Sequence, residues 1–255
     1  TFQDQAGIPF LQGIKATLGA LKGLGFYSYR ARQGISPLAP ATGKAEDLEG
    51  ERFQRLVQAH GLTLPRQAVA PTSAEAALKA KEIGFPVALK LLAPEVVHKT
   101  ELGAVVLGLR NAEEVGSQGE SLLAKARGAK LLVQEMVEGT EVILGARTDP
   151  QFGPFIMVGL GGVFVEVLKD VTLRLLPVDE KDVLAMLKEL KGYRVLEGVR
   201  GQPPRDVTAL VKAITGLSVL FANYRSWISD LEFNPLIVRQ EGKGVAAVDV
   251  RMIKK

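Results

Sequence analysis

The chain has 255 residues, 47% hydrophobic and 24% charged, the make-up of a folded globular protein and not of a disordered or fibrous one. At roughly 150 residues per domain, that length allows one or two domains. It has no cysteine and two histidines, His60 and His98. That excludes disulfides, thiolate zinc sites and cysteine nucleophiles, and leaves any metal to hard oxygen ligands. A net charge of +4 and a pI near 9.2 suit an anionic ligand. The basic residues are scattered and aromatics are only 6%, so the stacking platform and basic stripe of a nucleic-acid binder are missing. No run approaches 18 apolar residues and no leader opens the chain, so neither a membrane partner nor secretion is expected. The absence of cysteine fits a cytoplasmic location.

Pro9 opens a short amphipathic helix that carries Phe10, Leu11, Ile14, Leu18 and Leu21. Residues 31–45 hold two prolines and two glycines with little periodicity, which reads as a linker. Residues 1–30 then finish an upstream domain, with a free-standing N-terminal arm as the alternative. From 46 the signals are regular. A helix over 46–60 is followed by an extended piece at Pro65–Ala70, and Thr72 with Glu75 forms a capping box that opens a helix running to Gly84. PVALKLL (86–92) and LGAVVLGL (102–109) are apolar strands joined by the loop 93–101. Asn111 with Glu114 caps a helix over 112–127, and LLVQEMV (131–137) is a buried strand. Strand candidates follow at 141–147, 154–160, 163–168 and 172–178, then helices at 179–190 and 205–224, and a closing hairpin over 231–253. Strands and helices mix without strict alternation, so the fold class is α+β and not a doubly wound sheet.

Lys90 interrupts an apolar strand, where its ammonium must meet an anion or reach solvent. An edge-strand lysine reaching water is the plain structural explanation, and a charge on nucleotide phosphates is the functional one. The loop 93–101 presents Glu95, His98, Lys99 and Thr100, and an imidazole there can act as a base or attack phosphorus. GLGGVFVEVLKD (159–170) places Gly159, Gly161 and Gly162 where backbone can approach an anion; a tight turn explains it equally well. On an alternating strand Asp230, Glu232 and Asn234 share one face, and Asp249 lies 15 residues beyond Asn234, where a hairpin partner returns. Such oxygen ligands suit Mg²⁺, which takes few protein carboxylates plus substrate phosphates. Arg174 breaks an apolar strand much as Lys90 does, and Arg200 is flanked by glycine in GVRG.

In this order, GFPVALK, HKTELGAV, QEMVEGTEVILGARTDPQFGP, GLGGVFVEVLKD, LEGVRG and DLEFNPLIV resemble the ATP-grasp half of the ADP-forming acyl-CoA synthetases, relatives of the succinyl-CoA synthetase β subunit. The resemblance covers residues 50–255. It implies an ATP-grasp domain over 46–255, with an N-terminal subdomain at 46–133 and a C-terminal nucleotide and Mg²⁺ subdomain at 134–255. Residues 1–30 resemble the end of the CoA-ligase half found in fused members.

The implied roles are carried residue by residue. Lys90 binds phosphate. Glu135, Met136 and Val137 form the hinge that meets adenine, with Glu141 near the ribose or metal. Asn234 and Asp249 hold Mg²⁺, with Glu232 a third ligand, and His98 accepts phosphoryl groups. Gly161, Gly162, Arg174 and Arg200 fall in phosphate-facing and docking segments. Glu101 stands where an aspartate is usual and Ala104 where a second glycine is usual. The implied reaction exchanges acid, CoA and ATP for acyl-CoA, ADP and phosphate through a phosphohistidine. Implied partners are ATP or ADP and the CoA-ligase half, fused or separate, in an oligomer. Two other readings stay open: a regulatory ATP-binding module without phosphotransfer, and an ATP-grasp ligase of the carboxylate–amine type.

Overall fold

A computed structural model describes residues 38–93, 104–162, 167–199 and 201–255, together with Ile14, Thr17, Leu18, Leu21, Leu24, Gly25, Ser28 and Arg32. The chain divides into two compact units, Thr1–Leu38 and Ala39–Lys255. In the first unit the described residues up to Arg32 are helical, and Ile14, Leu18, Leu21 and Leu24 are all more than half exposed.

The second unit holds two sheets in which every strand pair is antiparallel, the α+β class expected. The smaller has four strands in the order β1-β4-β2-β3, with β1 at Gln67–Ala70, β2 at Val87–Leu92, β3 at Val105–Leu109 and β4 at Lys130–Glu135. Helices α2 (Ser73–Ile83) and α3 (Ala112–Leu123) cover one face, burying Ala76, Ile83, Val115 and Leu122 against Leu89, Leu91, Leu131 and Val133. Both helices start where the side chains dictate. The Thr72 hydroxyl accepts from the Glu75 N–H at 3.2 Å, and the Asn111 side chain from the Glu114 N–H at 2.9 Å. Only half of the expected capping box forms at Thr72, whose hydroxyl donates to the Glu75 carboxylate at 3.3 Å.

The larger sheet runs β10-β8-β5-β6-β7, with β9 also on β8. Its strands are β5 (Thr140–Asp149), β6 (Gly153–Leu160), β7 (Val171–Leu175), β8 (Ile228–Val238), β9 (Val245–Ala247) and β10 (Val250–Lys254). Helices α4 (Glu180–Glu189), α5 (Arg194–Glu197) and α6 (Val207–Tyr224) accompany it. Leu144, Ile156, Val158, Leu231 and Phe233 pack on Met186, Leu187, Ile214, Leu217 and Phe221. Among the described residues α6 is the one helix long and apolar enough to cross a membrane by length and composition. Half of its 18 residues are buried, and its apolar side is committed to this core.

Three elements differ from expectation. The first helix, α1 (Gly50–Ala59), packs with the larger sheet: Leu48, Val57 and Leu62 join its core, so residues 46–62 do not go with the four-stranded sheet as the split at 46–133 required. Gly216 on α6 makes this approach possible, because a Cβ there would lie 1.9 Å from the His60 carbonyl oxygen. The second half of the expected linker is tied down from Ala39 onward. Arg225 donates to the Ala39 carbonyl at 2.7 Å, Trp227 Nε1 to the Gly43 carbonyl at 2.9 Å, and the Gly43 N–H to the Asn223 carbonyl at 3.0 Å. In the strand expected at 163–168, residues 163–166 lie outside the described residues, and Val167 and Leu168 form an exposed turn. Lys169, at φ +48°, turns the chain from there toward β7.

Candidate functional site

On β2, Val87, Leu89 and Leu91 point into the helix-covered core, so Ala88 and Lys90 face the opposite way. Strand β2 is an interior strand and Lys90 is only 4% exposed, which removes the edge-strand explanation for this lysine. Its Nζ donates to the carbonyl of Val248 at 3.0 Å. From the adjacent β4, Gln134 donates Nε2 to the same carbonyl at 3.1 Å and to Gln67 Oε1 at 2.8 Å. One carbonyl between β9 and β10 thus receives two donors from the smaller sheet.

The next peptide belongs to the second half of the site. The Asn234 N–H donates to the Asp249 carbonyl at 3.1 Å, and the Val248 N–H to the Pro235 carbonyl at 3.0 Å. The hairpin therefore returns Asp249 beside Asn234, while Lys90 reaches the Val248–Asp249 peptide from the other sheet. The Lys90 ammonium thus comes to the main chain beside Asn234 and Asp249.

Asp230, Glu232 and Asn234 do share a face of β8, opposite the face of Leu231 and Phe233. Two arginines that the sequence reading missed occupy that face. Register sets Arg251 of β10 opposite Glu232, and Arg147 of β5 opposite Asp230. Arg251 binds Glu232 Oε2 at 3.1 Å and Asp230 at 3.5 Å, and Arg147 approaches Asp230 at 3.8 Å. Asn234 Nδ2 donates to the other Glu232 oxygen at 3.3 Å. Burial pushes the Asp230 carboxyl above the usual carboxylate value; Arg251 and Arg147 oppose the shift and Glu232 adds to it. Among the described residues no three His, Asp or Glu side chains gather in a metal-holding group. The oxygen donors available here are those of Asp249, Glu232 and the Asn234 amide. Gln134 was missed too, although a polar residue inside LLVQEMV is the same kind of anomaly as Lys90.

Glu135, Met136 and Val137 follow directly from β4. The Glu135 N–H donates to the Arg66 carbonyl at 2.9 Å and the Met136 N–H to the Pro86 carbonyl at 3.3 Å. The Glu135 carboxylate accepts from the Arg66 N–H at 3.1 Å and from Arg66 Nε at 3.2 Å. Burial alone pushes this carboxyl up, but the Arg66 hydrogen bonds and the charges of Arg66 and Arg239 outweigh it and hold the pKa below the usual value. A depressed folded-state pKa supplies stability above the unfolded value of about 4.3, and that stability is lost as pH falls through the folded value. Arg66 is largely exposed, so Arg66→Ala should cost less than about 1 kcal/mol at neutral pH. In urea melts the deficit should shrink to nothing in acid; an equal deficit at both pH values would refute this account.

Glu141 is exposed near the start of β5, and its carbonyl accepts from the Gly161 N–H at 2.8 Å. A Cβ on Gly161 would sit 2.7 Å from Glu141 Cβ, so the close approach requires glycine there; Gly162 follows it. Arg174 is not brought to the set. It pairs with Ile156 on the helix-covered face of the larger sheet and binds Glu189 of α4 at 2.7 Å, opposite the face that carries Glu232 and Asn234. Strand alternation decides this and corrects the expectation of a phosphate-facing Arg174. His98, with Glu95, Lys99, Thr100 and Glu101, and also Arg200, lie outside the described residues. A concavity of about 970 Å³ lined by Glu46, Arg52, Trp227 and Lys254 shares no residue with the set.

Two sheets meet through a strand lysine, with carboxylate and amide side chains on the second sheet. The ATP-grasp domain family matches residues 40–253. The β subunit of acetate–CoA ligase [ADP-forming] II from Pyrococcus furiosus is 40% identical over 223 residues, covering 84% of this chain and 94% of that protein. The chain therefore belongs to the ATP-grasp family, and its relatives include β subunits of ADP-forming acetate–CoA ligases. It is also 39% identical to the 4-hydroxybutyrate–CoA ligase [ADP-forming] of Nitrosopumilus maritimus over 82% of this chain, but spans only 31% of that longer protein. One solved structure is an acetyl-coenzyme A synthetase from Ca. Korarchaeum cryptofilum in complex with coenzyme A and Mg-AMPPCP, its phosphohistidine segment pointing towards the nucleotide binding site. It superposes with a TM-score of 0.69 at 34% identity, covering 81% of this chain and 92% of that one.

Proposed function

We propose that this chain is the nucleotide-binding and phosphoryl-transfer part of an ADP-forming acyl-CoA synthetase, completed by a CoA-ligase half that is fused or a separate subunit. The meeting of Lys90 and Asn234 on adjacent peptides of the Val248–Asp249 segment carries the reading. Lys90 places a buried cation against the β and γ phosphates, and the hinge at Glu135–Val137 takes the adenine. Asn234, Asp249 and Glu232 are the residues that would hold Mg²⁺, since hard oxygen donors in small number fit that ion. When bound, the ion neutralises phosphate charge.

His98, as an imidazole nucleophile, attacks the γ phosphorus in line. A nitrogen–phosphorus bond forms as the bond to the β,γ-bridging oxygen breaks, and ADP leaves. The phosphoryl group is then carried to the CoA-ligase half, where acid and CoA become acyl-CoA and phosphate. The acid itself is chosen by that other half.

Incubation with γ-labelled ATP and Mg²⁺ tests the reading against a regulatory ATP-binding module. Label that is acid-labile, base-stable and absent from His98→Ala is expected. ATP binding with no such label would favour the regulatory module.

A further inference from the structure

Away from the Lys90, Asn234 and Asp249 cluster the chain carries a second concavity, of about 460 Å³, lined by Arg66, Lys212, Arg239 and Lys243 with Glu135 of the adenine hinge as the one acidic lining residue. That volume falls in the ordinary range for small-molecule sites. Its walls are pinned to one another. Both oxygens of the buried Asp206 are used: one caps α6 by accepting from the Ala209 N–H, and the other accepts from the Gly244 N–H in the hairpin tip, each at 2.9 Å. The Asp206 N–H donates to the Arg239 carbonyl at 2.9 Å, and the Ala247 N–H ties the hairpin to the Thr63 carbonyl at 2.7 Å. The start of α6, the hairpin tip and the segment Gly61–Arg66 thus form a single frame that holds four cations around a hollow.

One polar atom in this frame is left over. Arg239 Nε is buried without a hydrogen-bond partner among the described residues, and a buried guanidinium N–H calls for an acceptor. Glu135 offsets only one of the four positive charges, and it is already held by Arg66. The cavity adjoins the adenine hinge through Glu135 but lies away from the sheet face that carries Glu232 and Asn234. Helix α6, which supplies Lys212, covers the face of the larger sheet opposite to Glu232 and Asn234.

We propose that this cavity binds a small phosphorylated anion, with the phosphoryl oxygens taken by Arg239 and Lys243 and supported by Lys212 and Arg66. Two guanidinium groups and two ammonium groups match the multiple charges and oxygens of a phosphate or diphosphate. A neutral ligand would leave the cations uncompensated.

Calorimetric titration of the whole chain with inorganic pyrophosphate, without divalent ions, tests the proposal in the native protein, in Arg239→Ala/Lys243→Ala and in Lys90→Met. Native protein should bind, binding should persist in Lys90→Met, and the double variant should bind at least tenfold more weakly. Should Arg239→Ala prevent folding, the exposed pair Lys212→Ala/Lys243→Ala carries the same expectation. Equal binding by native and cavity variants would overturn the site, as would no binding at all. Loss of binding in Lys90→Met alone would also overturn it, because pyrophosphate would then be occupying the nucleotide's phosphate position.

Discussion

Lys90→Met is expected to weaken ATP binding about 10- to 100-fold while leaving the fold as stable as before. A hydrogen bond that involves a charged group contributes about 1.5–3 kcal/mol, and each 1.4 kcal/mol is a factor of ten. Methionine keeps the apolar stem of the side chain and deletes the charge. The folded state loses little in exchange. The Val248 carbonyl keeps its bond from Gln134, and a cation that is 4% exposed carries a desolvation penalty that methionine lacks. Nucleotide titration together with a thermal melt separates the two effects. Unchanged affinity would remove Lys90 from the site, and a variant that melts far below the native protein would make the lysine structural.

Asp249→Asn is expected to slow phosphoryl transfer from ATP at least about 100-fold, since metal charge stabilisation amounts to several kcal/mol and each 1.36 kcal/mol is tenfold in rate. Asp249 Oδ1 accepts from the Val250 N–H at 3.0 Å. Asparagine retains an oxygen for that bond, so the substitution tests charge without undoing the turn. Glu232→Gln should have a smaller effect, because Arg251 and Asn234 already engage that carboxylate. Rates measured across a Mg²⁺ titration are the check: Asp249→Asn should need more Mg²⁺ for any given rate. Wild-type rates and wild-type Mg²⁺ dependence in Asp249→Asn would leave no metal role for this residue.

How much was legible varied by residue and by the range of the interaction behind it. Thr72 and Asn111 open helices by accepting from N–H groups three residues on, and such contacts lie within a few letters of one another. Lys90 stood out because an apolar strand makes any cation anomalous, and the shared face of Asp230, Glu232 and Asn234 followed from the two-residue period of a strand. Arg174 looked like Lys90 by the same rule and ended on the opposite side, against Glu189. Nothing in an apolar strand says which of its faces the helices will cover.

The sequence by itself settled the α+β class, the helix starts at Thr72 and Asn111 and the oddity of Lys90, because caps, turns and periodicity are decided between near neighbours. Only the tertiary structure decided that Lys90 meets Val248, 158 positions away, that Arg251 lies across from Glu232, and that the helix at 50–59 joins the larger sheet. Those pairings depend on how two sheets pack and on strand register, which are set by burial of whole faces and leave no short-range mark in the chain.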